Sequence, residues 1–329
     1  MNFDWNNIIG HENKIAQIRE MIKKNQFPNA VIFSGAAGIG KRKIAETVAA
    51  TLLCENDNAP CGYCNSCNTF NAKTHPDYYY IEPDTSKANP MIKIEQIREL
   101  QKEVALLPIL SERRMVIIND AEFMNNVSQN CLLKTIEEPQ GMSKFILIVA
   151  DRSRLLMTLR SRCMIINFEP LSEAEITLGL SERNIENAEK IAIISNGSLE
   201  QAITLAENNG LQIRENVLRF LESLPTLNIE DIFIKSQELS ALPKNNFREW
   251  TLNIQKFLRD LLIINSNVES KYFYNRDVKT RLQKLKFSDS KIYNMLHETT
   301  EIQRRLRSNA NLQLLIDSFF IRLKQNIQS

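Results

Sequence analysis

Two stretches of the chain carry residues whose types and spacing could do chemistry. The first is Gly35-Ala36-Ala37-Gly38-Ile39-Gly40-Lys41-Arg42. An apolar run, Ala30 to Phe33, precedes it and reads as a buried strand, and Ile44 to Ala50 after it reads as a helix. A strand, a glycine-rich turn and a helix N-terminus bring backbone N–H groups and the helix dipole to one spot, which suits a phosphate. The spacing is G-x-x-x-x-G-K, that of a phosphate-binding loop, with Gly35, Gly40 and Lys41 at the defining positions and Gly38 inside the turn. The next position departs from the pattern. A Ser or Thr there would hold magnesium, whereas Arg42 has no lone pair to give a metal. The second stretch is Cys54, Cys61, Cys64 and Cys67, in the pattern C-x6-C-x2-C-x2-C. Four thiolates this close, separated by turn formers such as Asn56 to Pro60 and Gly62, suit a tetrahedral structural zinc site inserted in a loop. With all four ligands supplied by protein, no open position remains for catalysis.

A third feature bears on the first. Arg114 to Glu122 reads as a second buried strand that ends in polar residues. A nucleotide hydrolase needs Asp there for magnesium, followed by Glu to polarise the attacking water. This chain has Asn119 and Asp120 at those places. A neutral amide is a weak magnesium ligand, and the aspartate is one methylene short.

The elements that position these residues alternate. A helix with Ile15, Ile18 and Ile22 on one side precedes the loop strand, and His11 before it suits a structural or base-edge role. Tyr78 to Ile81 reads as a strand. Ile94, Ile97, Leu100, Val104 and Leu107 form one buried stripe of a helix, leaving Arg98 and Lys102 four apart on its open face as candidate phosphate contacts. Ser128 can cap a helix from Gln129 to Glu138 that Pro139 stops. Phe145 to Val149 and Met164 to Phe168 are further strands. Strands alternating with helices give a mostly parallel α/β sheet. From about Leu171 to Asn208 a small helical domain begins with a capping box, Ser172 and Glu175. Beyond Gly210 only helices are expected, with core stripes at Phe247, Trp250, Ile254, Phe257, Leu258 and Leu261, and at Leu312, Leu315, Ile316, Phe319, Phe320 and Leu323.

Bulk properties narrow the classes. The chain has 329 residues, enough for two or three domains, and its 43% apolar and 24% charged content is that of an ordinary globular protein. A net charge of +2 means that any nucleic-acid contact must rest on a local patch. No apolar run approaches the ~20 residues of a membrane span, and Met1 to Trp5 lacks the form of a signal peptide. An intracellular, cytoplasmic protein is expected, in which cysteines serve as metal ligands or buried thiols and not as disulfides.

Together the phosphate loop, the four-cysteine insert behind it, Leu132-Leu133-Lys134-Thr135-Ile136-Glu137-Glu138-Pro139 and Ser161-Arg162-Cys163 resemble the clamp-loader branch of the AAA+ ATPases. The resemblance covers essentially the whole chain. It implies an AAA+ domain over residues 1–170 with the cysteine insert at 54–67, a helical lid over 171–208 and an all-α collar for oligomerisation over 209–329. Departures select among its members. The tau/gamma motor subunit carries Thr after the loop lysine, Asp-Glu after the second strand and Thr after the third, where this chain has Arg42, Asn119-Asp120 and Val149-Ala150. In the lid, Gly197-Ser198-Leu199-Glu200 puts Glu200 where the family has its sensor arginine. The hydrolytic site is damaged at several places while Arg162 is kept. The resemblance therefore implies a subunit that does not hydrolyse ATP, or binds it weakly if at all. Such a subunit lends Arg162 as an arginine finger to an adjacent tau/gamma ATPase and works with tau/gamma and delta to place the sliding clamp on primer-template DNA. An active AAA+ ATPase, or a zinc-knuckle nucleic-acid-binding protein, are the competing readings.

Overall fold

Ala30–Ser34 is buried at every position because helices cover both faces of the strand it forms. In the computed structural model, which describes residues 3–84, 90–137, 142–207, 209–267, 273–306 and 311–328, this strand is β1. Val31 and Phe33 point to one layer with Ile44, Ala45 and Val48, while Ala30 and Ile32 point to the other with Ile97, Leu100 and Leu132. The period-2 alternation of a strand thus divides an unbroken apolar run between two cores.

The sheet has five strands: β1, β2 (Tyr78–Ile81), β3 (Arg114–Ile118), β4 (Ser143–Val149) and β5 (Met164–Asn167). All pairings are parallel and the order is β2-β3-β4-β1-β5. The connecting helices are α1 (Glu12–Lys23), α2 (Lys41–Leu53), α3 (Asn65–Asn71), α4 (Ile94–Val104), α5 (Asn126–Glu137) and α6 (Met157–Arg160). The expected strands and helices are present, with corrections at α4, which ends at Val104 and leaves Leu107 exposed and not in the buried stripe, and at α5. Helix α5 starts before Ser128, and the Asn125 carboxamide oxygen accepts the Ser128 N–H at 2.8 Å, so Asn125 is the cap. Ser128 is instead buried, its hydroxyl reaching the Ile92 carbonyl at 3.3 Å. The expected stop at Glu138-Pro139 lies outside the described residues.

The chain divides into two compact units, one of residues 1–179 with 197–200, the other of 180–196 with 201–329. The first unit ends with α7 (Glu173–Ser181), which straddles the division. Its capping box forms as expected: Ser172 N–H donates to the Glu175 carboxylate at 2.7 Å, and Glu175 N–H donates to Ser172 Oγ at 3.2 Å. The second unit is helical among its described residues: α8 (Ala188–Ile194), most of α9 (Leu199–Glu207), α10 (Gly210–Ser223), α11 (Ile229–Ser240), α12 (Lys244–Asn265), α13 (Lys279–Leu282), α14 (Asp289–Arg305) and α15 (Leu312–Gln328). Phe220, Trp250 and Phe320 meet at its centre, with ring centroids 4.5–5.1 Å apart. No helix among the described residues is long and apolar enough to cross a membrane.

Candidate functional site

The loop of residues 35–40 leaves the C-terminal end of β1, where Gly35 N–H donates to Val149 O of β4 and Phe168 N–H donates to Ser34 O. Gly40, at φ +98°, makes the sharp entry into α2, so Lys41 opens that helix. Gly38 sits at φ +76°, and a Cβ there would overlap Ser198 Oγ and come within 2.9 Å of Glu200 Cβ. The backbone closes the same contact, since Glu200 N–H donates to Gly38 O at 3.1 Å. His11 steadies the other side by donating from Nε2 to Ile39 O at 2.8 Å while its ring stands edge-on to Phe168. The structural role expected of His11 is therefore visible in its contacts.

Lys41 is only 5% exposed and donates to the loop's own carbonyls, Gly35 O at 2.6 Å and Ala36 O at 2.5 Å. Glu122, Asp120 and Glu200 surround it closely enough to act on its charge. Burial nevertheless dominates and lowers the Lys41 pKa against the pull of these carboxylates. Asp120 moves the other way: burial raises its pKa, the Glu122 charge adds to this, and Lys41 opposes it. Asn119 turns its amide to Asp120 Oδ2 at 3.0 Å. Carboxylates thus outnumber the lysine in the place where a triphosphate would bring its own negative charge.

Arg42 is engaged outside this cradle. It donates to Glu46 at 3.0 Å, lies 3.7 Å from Glu82 and stacks over Tyr80 at 4.6 Å. Two further residues were not singled out by the sequence. Glu122 is 8% exposed; its Oε1 accepts the Ala150 N–H at 2.8 Å, and Oε2 has no hydrogen-bond partner among the described residues. Its signal was a second acidic residue just past a fully apolar strand. Gln129, buried in α5, accepts the Leu156 N–H at 2.7 Å and donates to Met124 O and Arg154 O, fixing the loop ahead of α6.

Arg162 lies just beyond α6, about two-fifths exposed, with Nε on the Glu137 carboxylate and NH1 donating to Thr158 O at 3.0 Å. Cys163 beside it is buried, and burial pushes its thiol up to about 12, the behaviour of an inert packing residue. Arg98 and Lys102 are both exposed on α4, away from the buried side made by Ile97, Leu100 and Val104.

The four cysteines converge. Their sulfurs all lie within 4.8 Å of one another, with Cys54–Cys64 and Cys61–Cys67 each at 3.9 Å. A tetrahedral S₄ site with bonds of about 2.3 Å has sulfurs about 3.8 Å apart, so the donor set fits such an ion. Backbone N–H groups of Cys61, Cys64 and Cys67 point at sulfurs of the set, as thiolate ligation requires. Burial would raise the Cys61 pKa, but the N–H groups of Tyr63 and Cys64 and the Asn56 amide outweigh it and hold the thiol down to about 6. Behind the set, Ser66 Oγ donates to Leu53 O and meets His75 Nε2 at 2.8 Å. His75 Nδ1 accepts the Asp77 N–H, so Nε2 carries the proton. His75 is therefore no base for Ser66, despite the Ser–His–Asp proximity.

A parallel five-stranded sheet, a phosphate loop after its interior strand β1 and a helical remainder define an AAA+-type α/β protein. Residues 10–172 match the family model described as DNA polymerase III, delta subunit. The chain is 35% identical over 245 residues to the DNA polymerase III subunit delta' of Pseudomonas aeruginosa, covering 70% of this chain and 73% of that one. Against subunit delta' of Bacillus subtilis it is 29% identical over 311 residues, or 92% of this chain and 93% of the relative. Subunit tau/gamma of Haemophilus influenzae matches at 30% identity over 210 residues, 61% of this chain but 30% of the relative. The chain belongs to the DNA polymerase III subunit delta' family.

Proposed function

We propose that this chain is a clamp-loader subunit of the bacterial replicative polymerase that does not hydrolyse ATP itself. It lends Arg162 to the ATP site of an adjacent tau/gamma subunit, and with tau/gamma and delta it places the sliding clamp on primer-template DNA in the cytoplasm. The observation that carries this reading is the contrast between its two basic centres. Lys41 is buried, bonded to its own loop and surrounded by Asp120, Glu122 and Glu200, whereas Arg162 stands partly exposed at the surface. The first is engaged by its own loop among carboxylates that disfavour a phosphate, and the second is partly open to one. Under the same reading the chain comprises an AAA+ domain over 1–170, a lid over 171–208 and a collar over 209–329. Arg98 and Lys102, exposed on one side of α4, are offered to DNA phosphates. The four-cysteine site holds a structural zinc ion.

The test is phosphate release by the isolated chain with ATP and magnesium. No turnover is expected, because residue 42 gives no hydroxyl to the metal, residue 119 gives an amide, and Glu200 stands where a cation should be. Arg42→Thr alone should not restore turnover, since the other departures remain. Steady magnesium-dependent release by the wild-type chain, abolished by Lys41→Ala, would establish an active ATPase instead.

A further inference from the structure

Glu137 is the last described residue of α5, and its carboxylate meets the Arg162 guanidinium at Nε. Both partners stand on well-fixed backbone. Leu132 and Ile136 bury the inner side of α5, and Gln101 of α4 donates to Cys131 O and to Thr135 Oγ1, each at 2.8 Å. Buried Gln129 ties α5 to the segment entering α6, and buried Leu159 and Cys163 flank Arg162 in sequence.

Glu137 and Arg162 are each about two-fifths exposed, and an ion pair so exposed contributes little to stability. Its effect is on direction. Nε is committed to Glu137 and one NH1 hydrogen to Thr158 O, which fixes the plane of the guanidinium. The NH2 edge and the second NH1 hydrogen remain to grip two oxygens of one phosphoryl group. We propose that Glu137 is a positioning residue for Arg162: it holds Nε so that the opposite edge of the guanidinium faces the terminal phosphate of a nucleoside triphosphate bound by the neighbouring subunit. This rests on the reading of Arg162 as a lent arginine and adds the residue that aims it.

The experiment uses the loader reconstituted from tau/gamma, delta and this chain, in single-turnover ATP hydrolysis with clamp and primed DNA. Assembly is checked by gel filtration and folding by thermal melting. Glu137→Ala should slow the bordering site by about ten- to a hundred-fold, the scale expected of a misaimed catalytic group, with the ATP concentration dependence unchanged. Glu137→Gln, whose carbonyl oxygen can still accept from Nε, should stay near wild type. In the Arg162→Ala background, Glu137→Ala should cost nothing more, because the group it aims is gone. A slow Arg162→Ala loader beside a normal Glu137→Ala loader would overturn the positioning role alone. So would an equal further loss in the double variant, or a gain in rate that marks Glu137 as a restraint. An Arg162→Ala loader as fast as wild type would remove the lent-arginine reading and this inference with it.

Discussion

Arg162→Ala is expected to leave the chain folded and able to join its partners while lowering hydrolysis at the bordering ATP site by about 10³–10⁵. The side chain is about two-fifths exposed, and its partners are a half-exposed carboxylate and one backbone carbonyl, so its loss opens no cavity in the core. A guanidinium is always charged and offers its N–H groups in a fixed plane, so it can stabilise charge on a transferring phosphoryl group without reorganising. Lysine lacks that fork, so Arg162→Lys should recover little of the rate. A loader with several motor sites should lose less in steady state than in single turnover at the affected site. Arg160, in the same turn, is half-buried and is the matched comparison. Arg160→Ala loaders should hydrolyse ATP far faster than Arg162→Ala loaders. Equal rates in the two, or a wild-type rate with Arg162→Ala, would show that Arg162 does not act at the phosphate.

How much of this was legible beforehand follows the range of the interactions. Local patterns were readable. Ala30 to Phe33, Met115 to Ile118 and Phe145 to Val149 announce strands covered on both faces, because every side chain in them is apolar. The Ser172–Glu175 box lies within one turn and forms as read. The cysteine set was legible because sequence spacing alone keeps four sulfurs near each other. What sequence could not deliver were contacts between distant segments. Glu122 meets Ala150 across twenty-eight positions, and Glu200 reaches the loop at Gly38, so the full acidic surround of Lys41 emerges only on folding. Arg42 was read for the hydroxyl it replaces, while its partners Tyr80 and Glu82 lie on and just after β2.

The buried ionic core of the first unit makes the same point. Asp77 is fully buried and accepts the N–H groups of Ile109, Leu110 and Ser111 at 2.7–2.9 Å, while Arg114 of β3 lies 3.5 Å away. Burial would raise its pKa, but those three N–H groups and His75 hold it below the usual carboxylate range. The residues that supply those N–H groups lie more than thirty positions from Asp77, so no local pattern marks it. Ser128 was misread for a related reason: it is a good capping type, but Asn125 cuts in first, and the hydroxyl is used against Ile92 instead.

Removing metal from the cysteine site is expected to have the other large effect. Binding of zinc to thiolate sites of this kind is worth on the order of 10–16 kcal/mol at neutral pH, and where the loop has no other closure that free energy is its folding energy. The segment from Cys54 to Cys67 has few alternatives: Tyr63 is largely exposed, and Asn56 to Asn58 are exposed polar residues. Purified under reducing conditions without chelator, the chain should carry one zinc per molecule by elemental analysis. Chelation should then make the insert a site of limited proteolysis while the sheet persists, because Phe70 of α3 stays packed on Phe3 and Tyr78 in the sheet's own core. Cys64→Ser should act in the same direction, since its sulfur also accepts the Cys67 N–H at the start of α3. Protons compete with the metal for thiolate, so zinc should be retained at neutral pH and released as pH falls. Burial raises the pKa of Cys54 and Cys67, so these two depend most on the ion to stay deprotonated, while Cys61 is the readiest thiolate of the set. Metal-free protein from such a preparation, or an insert as resistant to protease after chelation as before, would mean that the four thiols close the loop without zinc.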